Sequence, residues 1–540
     1  MINRSISNGD SGSDIRAFLN NHLQVIDVKN YGAVGDGETD DYDAIMSAIN
    51  SNSNKFVRIG SNVSEVYIIS KPITPPSNTY LIIDGTLKME DGYAGIPIAE
   101  DISAESTEAT VTDAGDYFKV GQWVSVTDDD ATATERRKWG NTVIITDIQG
   151  DLITFQDGFR DSYTVSSNAT IGHTQSNIVI DSVSNVNIFG NGWIDNNKSN
   201  QDLWIEPIRV TGGLMEEVRA GCGISVYESD RVTIDGVNIK DSMLHNLSLF
   251  EADQSDIRNL YVKNSGDKGV LVFNVSKSKI HDIRSHDSGE DCFTIYANNT
   301  DLVVSNLFLK GAGRNGLGLY NNDDSNIIIS DVIGYSAQVS ITTSKQFVMS
   351  NVMLRGCYFA CSGTEDAVFY NICVDCDGEL IPGMGFTNTA NVEVYGGFIK
   401  NGKIGLSTSG NTNLSIRGVN ISSNQKAVND LGTDINTKVT RCQFNDNNSK
   451  GTGFDNMIFA ECSGDLLSFN SGTGTILNGN TYIDVAHGLE VTPSATNINV
   501  SQAESLGSAS NFWVSDIDDT TFRINVDVDP GKDLTFNWKI

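Results

Sequence analysis

The sequence is poor in proline and in cysteine. Its 540 residues include 8 prolines, 8 cysteines and 51 glycines. Eight cysteines in a chain of this length are ordinary usage, which excludes a small disulfide-linked scaffold. The glycines occur with many Asn, Asp, Ser, Thr, Val and Ile residues, a composition typical of short strands joined by tight turns. We therefore expect an all-β protein without long helices.

Basic residues are also scarce, with 37 Lys and Arg against 69 Asp and Glu and a net charge of -32. This balance excludes a nucleic-acid partner, because neutralising phosphates requires clustered cations. The same charge disfavours a polyanionic substrate at long range, although a local basic patch can override the repulsion within about 10 Å. Composition alone therefore leaves the charge of a substrate open.

Long apolar runs are absent as well. No segment approaches the roughly 20 apolar residues that a membrane-spanning helix needs. The N-terminus has no basic segment followed by an apolar one. We expect a soluble protein with no membrane insertion and no standard export signal.

What the chain does contain is a repeated phrase: an apolar residue, any residue, a small polar residue and a second apolar residue. The phrase or a close variant ends at Val237, Leu260, Ile283, Leu307, Val332, Val352, Ile372, Gly397, Val419, Cys442 and Cys462. Successive ends are 20 to 25 residues apart, with a mean of 22.5. Self-similarity at this period marks a solenoid. Because a leucine framework is absent and β-branched runs alternate with turn residues, the repeat predicts a parallel β-helix.

The spacing of the repeated phrase, and the places where it is interrupted, predict five segments. They are a lead-in or neck over 1–24, the first coils and a capping helix over 25–96, an inserted small β domain over 97–170, the main β-helix over 171–473, and a C-terminal β module over 474–540. In the lead-in, Ser13 or Asp14 is suited to capping a short helix.

Four cysteines allow two interpretations. Two pairs, Cys357 with Cys361 and Cys373 with Cys376, have spacings that resemble a zinc site with four thiolate ligands. They lie in strand-like runs, however, which favours buried thiols stacked inside the solenoid. We expect no metal and no cofactor.

The coil period predicts which side chains meet on the wall of the β-helix. Stacked strands lie about 4.8 Å apart, so residues one coil apart in sequence become neighbours. One predicted column contains Leu244, Asp267, Glu290 and Arg314, and the next contains His245, Lys268, Asp291 and Asn315. These columns bring three carboxylates, a histidine, a lysine and an arginine together.

Three carboxylates in one place suit the cleavage of a glycosidic bond. The reaction needs one carboxylic acid to protonate the leaving oxygen and a second carboxylate to activate water or attack the sugar. We predict Asp267, Glu290 and Asp291 as catalytic residues, with one carboxyl group keeping its proton near neutral pH because neighbouring carboxylates repel. The alternative is that these residues only form turns, where Asp tolerates tight backbone geometry.

Other side chains near the wall are candidates for substrate binding. The predicted set is His245, Lys268, Asp287, Arg314 and Asn315. His281 and His286 lie outside the two acid columns and are weaker candidates. Aromatic residues near the wall are suited either to stacking on sugars or to packing in the core or a trimer contact; these are Trp193, Trp204, Tyr227, Phe250, Tyr296 and Tyr320.

The stretch from Val28 to Ile45, VKNYGAVGDGETDDYDAI, resembles the opening segment of the pectate-lyase-like β-helix superfamily. The resemblance implies a right-handed β-helix that starts with a strand, a glycine-rich turn and a short capping helix. Thr39 or Asp40 is expected to cap that helix. Hydrolases, lyases, epimerases and fructotransferases share this segment, so it implies the fold and leaves the activity open.

Both ends of the chain resemble bacteriophage tail proteins. The lead-in phrase SNGDSGSDIRAFLN is similar to segments that precede β-helices in tailspike and tail-fibre depolymerases. The C-terminal stretches HGLEVTP and GSASNFWVSDIDDTTFRINVDVDP are similar to small β modules of such proteins. The resemblance implies a homotrimer in the virion, attached to the phage tail or baseplate through its N-terminus, that digests a bacterial surface polysaccharide.

The acid columns are also similar to polygalacturonases. Ser265-Gly266-Asp267 and Glu290-Asp291-Cys292 stand where that family has Asn-Thr-Asp and Asp-Asp-Cys. By this resemblance Glu290 is the general acid, and Asp267 and Asp291 position the water of an inverting reaction. Arg314 or Asn315 replaces the family's histidine, and its Arg-x-Lys clamp has no match beyond Lys345 nearby in the coil order. Galacturonate specificity is therefore not implied.

We expect an endo-acting glycoside hydrolase that depolymerises a bacterial capsule, exopolysaccharide or O-antigen. One alternative is a polysaccharide lyase, in which a base removes the proton next to a uronate carboxyl group and a cation stabilises the charge. Lys268, Arg314 and His245 are suited to that work. A second alternative is an adhesin that binds glycan without cutting it.

Overall fold

A computed structural model describes most of the chain. The described residues are 25–129, 138–159, 161–201, 205–207, 220–323, 326–379, 381–448, 451–452, 457–460, 462–464, 471–487 and 492–540. The chain divides into two compact units, one ending at Phe347 and the other beginning at Val348. The expectations for the lead-in and for Trp204 fall outside the described residues.

The first unit is built from parallel coils whose strands form two sheets, here called the broad and the narrow sheet. The broad sheet of this unit contains Val25–Asp27, Asp36–Asp40, Phe56–Ile59, Val66–Ile69, Tyr80–Ile83, Thr86–Met89, Asn187–Phe189, Trp193–Asp195, Thr233–Asp235, Asn238–Lys240, Asp256–Lys263, Lys279–His286, Val303–Lys310 and Ile327–Tyr335. The narrow sheet contains Ile178–Asp181, Ile224–Tyr227, Leu247–Phe250, Val270–Phe273, Phe293–Tyr296, Leu317–Tyr320 and Val339–Thr342. The predicted all-β parallel solenoid is thus confirmed.

The repeated phrase marks a corner within each broad strand. Its small polar residue adopts the left-handed backbone conformation, with φ of 56° at Asn259, 58° at Asp282 and 54° at Asn306. Asn and Asp tolerate this conformation better than other residues with a side chain. The apolar residues that follow, such as Leu260 and Ile283, are buried inside the coil. The phrase therefore repeats because every coil needs the same bend between two inward-facing residues.

The first coils are closed by the expected short helix. It spans Tyr42–Asn50 and buries Ile45, Ala48 and Ile49. Its cap differs from the expectation: the helix starts after Asp41, whose carboxylate accepts the amides of Val34 at 2.6 Å and Gly35 at 3.0 Å. Asp40 accepts the amide of Tyr42 at 3.2 Å.

Thr39 does not cap this helix, because its hydroxyl donates instead to Asp36 at 2.9 Å. Gly35 is required in the turn, since its φ is +71° and a Cβ would lie 2.7 Å from the ring of Tyr67. The opening segment thus uses its carboxylates to hold the glycine-rich turn.

A third, separate sheet is inserted between the coils of the first unit. Its strands are Ile96–Pro97, Glu108–Thr110, Trp123–Thr127, Lys138–Gln149, Leu152–Phe155, Thr170–His173 and Ile205–Pro207. They pair mostly antiparallel around their own apolar core, which includes Val124, Ile145 and Phe159. The coil strands on either side of the insertion pair directly, Tyr80–Ile83 with Asn187–Phe189, so the insertion leaves the stacking intact.

The second unit also contains parallel coils. Its broad strands are Phe347–Arg355, Val368–Asp375, Glu393–Lys400, Ser415–Arg417, Asn420–Ser422, Thr437–Thr440, Gln443–Asn445, Met457–Ala460 and Ser463–Gly464. Its narrow strands are Phe359–Ser362, Pro382–Thr387, Ile404–Ser409, Lys426–Asp430 and Gly451–Thr452.

The C-terminal part of this unit forms two small antiparallel sheets around a common core that includes Phe522, Phe536 and Trp538. The first sheet contains Ser471–Ile476, Asn499–Gln502 and Leu534–Lys539, and the second contains Tyr482–Ala486, Phe512–Ser515 and Thr521–Val526.

Helical structure in the described ranges is limited to short pieces. Besides the capping helix these are Ala114–Tyr117 and the single turns Val28–Tyr31, Val165–Ser167, Lys198–Asn200 and Ala495–Asn497. None of the described helices combines the length and the apolar composition that crossing a membrane requires.

Candidate active site

The two predicted acid columns lie on the turns that lead from the broad to the narrow sheet. In the first column the amide of Asp267 donates to the carbonyl of Leu244 at 2.9 Å, and the amide of Glu290 donates to that of Asp267 at 2.8 Å. The amide of Arg314 donates to Glu290 at 2.8 Å. The structure therefore stacks this column as the coil period predicts.

A glycine precedes three members of that column, and at two of these glycines the turns approach each other closely. A Cβ on Gly289 would lie 1.9 Å from the carbonyl oxygen of Gly266. A Cβ on Gly313 would lie 2.0 Å from the carbonyl oxygen of Gly289. Real side chains do not reach such distances to backbone atoms, so this contact explains the glycines of the Ser-Gly-Glu and Ala-Gly-Arg phrases.

Lys268 joins two of the carboxylates. Its Nζ lies 2.8 Å from Asp267 Oδ2 and 3.1 Å from Glu290 Oε2. Burial lowers the pKa of Lys268, but attraction to Asp267 and Glu290 outweighs this, and the pKa lies above its ordinary value of 10.5. The ammonium group is therefore charged at neutral pH and offsets the repulsion between the two carboxylates.

Glu290 is the most accessible of the three carboxylates, with its side chain 23% exposed. Arg314 Nη1 lies 3.8 Å from Glu290 Oε1, and the guanidinium carbon lies 5.5 Å from the centre of the Tyr320 ring. The Arg314 side chain is 56% exposed. Glu290 and Arg314 together present one acid and one cation to a ligand on the wall.

Asp291, by contrast, is enclosed by protein donors. The Thr294 hydroxyl donates to its Oδ2 at 3.0 Å, and the Asn315 amide group donates to its Oδ1 at 2.8 Å. The Tyr320 hydroxyl donates to Oδ2 at 3.2 Å. Burial and the charge of Asp291 raise the pKa of Tyr320, so its hydroxyl remains a donor. Asp291 has no exposed surface, which suits it to holding Asn315 and Tyr320 in place.

Two members of this network are not among the sequence-predicted residues. Gln338 donates to Asn315 Oδ1 at 2.7 Å, and Thr294 contacts Asp291. Gln338 lies one coil after Asn315, so extending the second column by 23 residues reaches it. Thr294 is buried in the narrow strand that follows Asp291, and no feature of the spacing distinguishes it from other residues of the narrow strands.

His245 lies beneath the carboxylates. Its Nδ1 accepts the amide of Lys268 at 3.3 Å and lies 3.6 Å from Asp267 Oδ2. The side chain is 1% exposed. The imidazole is thus placed to support Asp267 and Lys268 from below, away from a ligand on the surface.

Asp287 lies outside this cluster. It lines a cleft of about 510 Å³ that follows the turns and also includes Lys198, Gly266, Gly289 and Gly313. The cleft is adjacent to the acid column in each coil, because these turn residues directly precede Asp267, Glu290 and Arg314.

The other sequence candidates also lie apart from the acids. His281 contacts Asp282 at 2.6 Å on the broad sheet, and His286 is likewise a broad-sheet residue. Lys345 lies 3.7 Å from Asp323. The contacts of His281 and Lys345 therefore lie away from Asp267, Glu290 and Asp291.

Four of the sequence-predicted aromatic residues take part in one ladder on the narrow sheet. Ring centres are 5.0 Å apart for Tyr227 and Phe250, 4.6 Å for Phe250 and Phe273, and 5.6 Å for Phe273 and Tyr296. Tyr320 continues the ladder at 6.3 Å. Tyr227, Phe250 and Phe273 are buried, so this part of the ladder packs within the protein.

The cysteines behave as buried thiols. All eight are buried, and burial raises the pKa of Cys361 to about 12. Across the described ranges no group of three or more His, Cys, Asp and Glu side chains is arranged to hold a metal ion.

Comparison with known proteins agrees with the coil geometry. Residues 208–359 match the family model described as a right handed beta helix region. The pre-mature gene product 12 of bacteriophage phi29 aligns over 83% of this chain and 57% of its own, at 16% identity and a TM-score of 0.55.

Two further structures have lower scores. Tailspike gp61 of Pseudomonas phage phi297 aligns over 95% of this chain and 98% of its own, at 11% identity and a TM-score of 0.41. The A-module of mannuronan C-5 epimerase AlgE6 from Azotobacter vinelandii aligns over 81% and 99%, at 12% identity and a TM-score of 0.47. No curated protein matches the chain by sequence. The stacked coils and the matched region together identify the fold of this chain as a right-handed parallel β-helix.

Proposed function

We propose that this chain is an endo-acting glycoside hydrolase that depolymerises a bacterial surface polysaccharide, such as a capsule, an exopolysaccharide or an O-antigen. The observation that carries the proposal is the contact of Lys268 with both Asp267 and Glu290. Two carboxylates from successive coils meet at one cation, whose side chain is 12% exposed, beside the cleft along the turns. This is the pair of acidic groups that glycosidic cleavage requires.

In the proposed reaction Glu290 is the general acid and Asp267 acts on the water. Glu290 must first take up a proton in place of its carboxylate form, and it gives this proton to the glycosidic oxygen as the bond from that oxygen to the anomeric carbon breaks. Water forms the new bond to the anomeric carbon and gives a proton to Asp267. The greater exposure of Glu290 supports its role as the group that reaches the leaving oxygen.

The remaining predicted residues support this pair. Asp291 acts as a positioning residue through its hydrogen bonds with Asn315 and Tyr320. His245 positions Asp267 and Lys268 from the buried side. Arg314, which is exposed, contacts the substrate, and Asp287 contacts it in the cleft along the turns.

The lyase alternative is supported by the two cations beside Glu290. Lys268 and Arg314 are suited to neutralising a uronate carboxylate while a base removes the proton on the adjacent carbon. The bond to the leaving glycosidic oxygen then breaks and a carbon–carbon double bond forms. The products differ from those of hydrolysis, because no water is added.

The biological setting follows from the sequence resemblances at both ends of the chain. We propose a phage tailspike that forms a homotrimer, is joined to the tail or baseplate through its N-terminus, and acts in the virion on the host surface. The β-helix that this chain has in common with a phi29 gene product is compatible with that setting.

The test is to incubate the full chain with a panel of purified bacterial surface polysaccharides and to analyse the products by mass and by reducing ends. Hydrolysis predicts oligosaccharides that gain one water at each cut. Unsaturated products that absorb in the ultraviolet would establish the lyase instead. Binding of a polysaccharide without release of shorter products would overturn both enzymatic readings in favour of an adhesin.

A further inference from the structure

The outer face of the broad sheet in the first unit carries a column of basic residues. The strand register places Lys240, Lys263, His286 and Lys310 next to one another on successive coils. Arg284 projects from the same face two residues before His286, where it is exposed. This concentration of positive charge stands on a chain whose net charge is -32.

Most of these cations are not neutralised by the protein. Lys240 pairs with Asp195 at 2.7 Å. For Lys263, Arg284 and Lys310, no carboxylate of the described residues lies within ion-pair distance. Burial lowers the pKa of His286, the neighbouring Asp287 raises it, and the charges of Lys310, Arg284 and Lys263 each lower it, so all three cations lie close enough to His286 to act on it.

Aromatic rings continue along the same face. Ring centres lie 5.9 Å apart for Trp193 and Tyr261, 5.2 Å for Tyr261 and His286, and 5.4 Å for His286 and Phe308. Tyr335 extends the row at 5.6 Å from Phe308 and is 41% exposed. Half-exposed rings of this kind offer apolar faces on which sugar rings stack.

This face is directly connected to the candidate active site. Lys263 precedes Asp267 by four residues, and the same spacing separates His286 from Glu290 and Lys310 from Arg314. The turn residues between them line the cleft of about 510 Å³. A polymer lying along the coils on this face is therefore one turn away from the acid column in three successive coils.

We infer that this row of cations and rings, here called the cationic track, binds a polysaccharide that carries carboxylate groups. The carboxylates contact Lys263, Arg284 and Lys310, and the sugar faces stack on Tyr261 and Phe308. Charge complementarity identifies the occupant, because unpaired cations gain little from a neutral glycan and repel one another without an anion. The track thereby overcomes the long-range repulsion that the net charge imposes on an acidic polymer.

The inference rests on the proposed function for its biological meaning, since it names the substrate class of the same site. Binding, however, is measured without cleavage. The probes are polygalacturonate and alginate, each compared with its carboxyl-reduced, neutral form. One variant of the full chain, here called the track variant, carries Lys263→Gln, Arg284→Gln and Lys310→Gln together. A second, called the matched variant, has three other lysines exchanged instead: Lys55, Lys277 and Lys279.

We expect the wild type to bind at least one of the two acidic polymers, with an affinity that falls as salt is added. The track variant should bind it at least tenfold more weakly, and so should the wild type with the carboxyl-reduced polymer. The matched variant should bind nearly as well as the wild type. The three exchanged side chains project from the sheet, so we expect the track variant to fold. An unchanged melting temperature would show this.

Two results would overturn the inference that the track binds an acidic polysaccharide. One is absence of binding to both acidic polymers, and the other is equal binding by the track variant and the wild type. If the track variant sediments differently from the wild type but binds the polymer equally well, the face contacts a second copy of the chain. That result would also overturn the inference. Binding lost in the track variant but cleavage unaffected by Glu290→Gln would leave the track standing and remove the proposed hydrolase. The two proposals therefore fail separately.

Discussion

The amide of Glu290 donates a hydrogen bond of 2.8 Å to the carbonyl of Asp267, one coil earlier in the solenoid. This ladder contact makes neighbours of two carboxylates that are 23 residues apart in sequence. Lys268 then contacts both side chains. The pair is thus a product of coil stacking, and removing either member or the cation between them is expected to disturb the same centre.

Glu290→Gln and Asp267→Asn should each lower the rate of polysaccharide cleavage at least a hundredfold, because an amide neither donates the proton nor accepts it from water. Binding of the polysaccharide should persist, since both variants keep the shape of the wall. Cleavage is followed by reducing ends and binding by affinity electrophoresis. Asp282→Asn is the control: Asp282 occupies a corner of the same coil, and Asn tolerates its left-handed backbone. Equal activity of Glu290→Gln and this control would contradict the assignment.

Lys268→Met should lower the free energy of unfolding by about 3 kcal/mol at pH 8, because it leaves two carboxylates beside each other without their cation. The folded-state pKa of Lys268 lies above 10.5. The stabilisation is therefore fully present below pH 10.5 and is lost as the pH rises through the folded-state value. Melting temperatures of the wild type and the variant should converge above pH 10.5. A constant difference from pH 8 to pH 11.5 would contradict this.

Much of this architecture was predictable because each coil repeats the same physical requirement. The corner at Asn259, Asp282 and Asn306 needs a residue that tolerates a positive φ, and the flanking positions must be apolar. The repeated phrase expresses both needs, and its period locates the column from Leu244 to Arg314. Stacking is a geometric rule, so residue numbers alone are enough to apply it.

The burial of each side chain in the wall was not predictable from the coil period. The period shows that Asp291 and Asn315 are neighbours, but it does not show that Asp291 is closed off by Thr294 and Tyr320. The period also aligns Lys263, His286 and Lys310, which are 23 and 24 residues apart. It does not show that these side chains and Arg284 lie on the outer face of the broad sheet, because that depends on which face of each strand points outward.

Tyr320→Phe should lower kcat about tenfold with little change in KM. The variant loses the hydroxyl that donates to Asp291 and accepts from Asn315, so the supporting network shifts while the exposed surface of the site stays the same. Tyr296→Phe is the matched control, because Tyr296 belongs to the same aromatic ladder and its hydroxyl contacts Asn321 instead. An increase in KM with unchanged kcat would indicate direct substrate contact instead of positioning.

Gly289→Ala should destabilise the protein by about 3 kcal/mol, the upper part of the range for an overpacked site. The new Cβ would meet the carbonyl oxygen of Gly266, a backbone atom that is held by the stacked turns. Gly115→Ala is the control, since nothing lies within 4 Å of a Cβ there. Urea unfolding midpoints measure the effect, and equal midpoints for the two variants would contradict the close approach of the turns.

Acid should weaken the first unit through His173, which ends the strand Thr170–His173. Its Nδ1 accepts the amide of Tyr93 at 2.7 Å, and Nε2 contacts Gln122 Oε1 at 2.8 Å. Burial, helped by the charge of Lys119, lowers the pKa of His173 to about 4. Neutral His173 therefore contributes stability above about pH 6.5, and this is lost as the pH falls toward 4.

The loss should reach about 2 kcal/mol at pH 5, because each unit of pKa difference is worth about 1.4 kcal/mol. His173→Gln removes the titrating group and keeps side-chain polarity, so its stability should fall less than that of the wild type between pH 7 and pH 5. Urea unfolding of both proteins at the two pH values isolates the contribution of His173 from that of the many carboxylates, which both proteins share. An identical fall in the two proteins would show that the imidazole takes up its proton as readily in the folded chain as in the unfolded one.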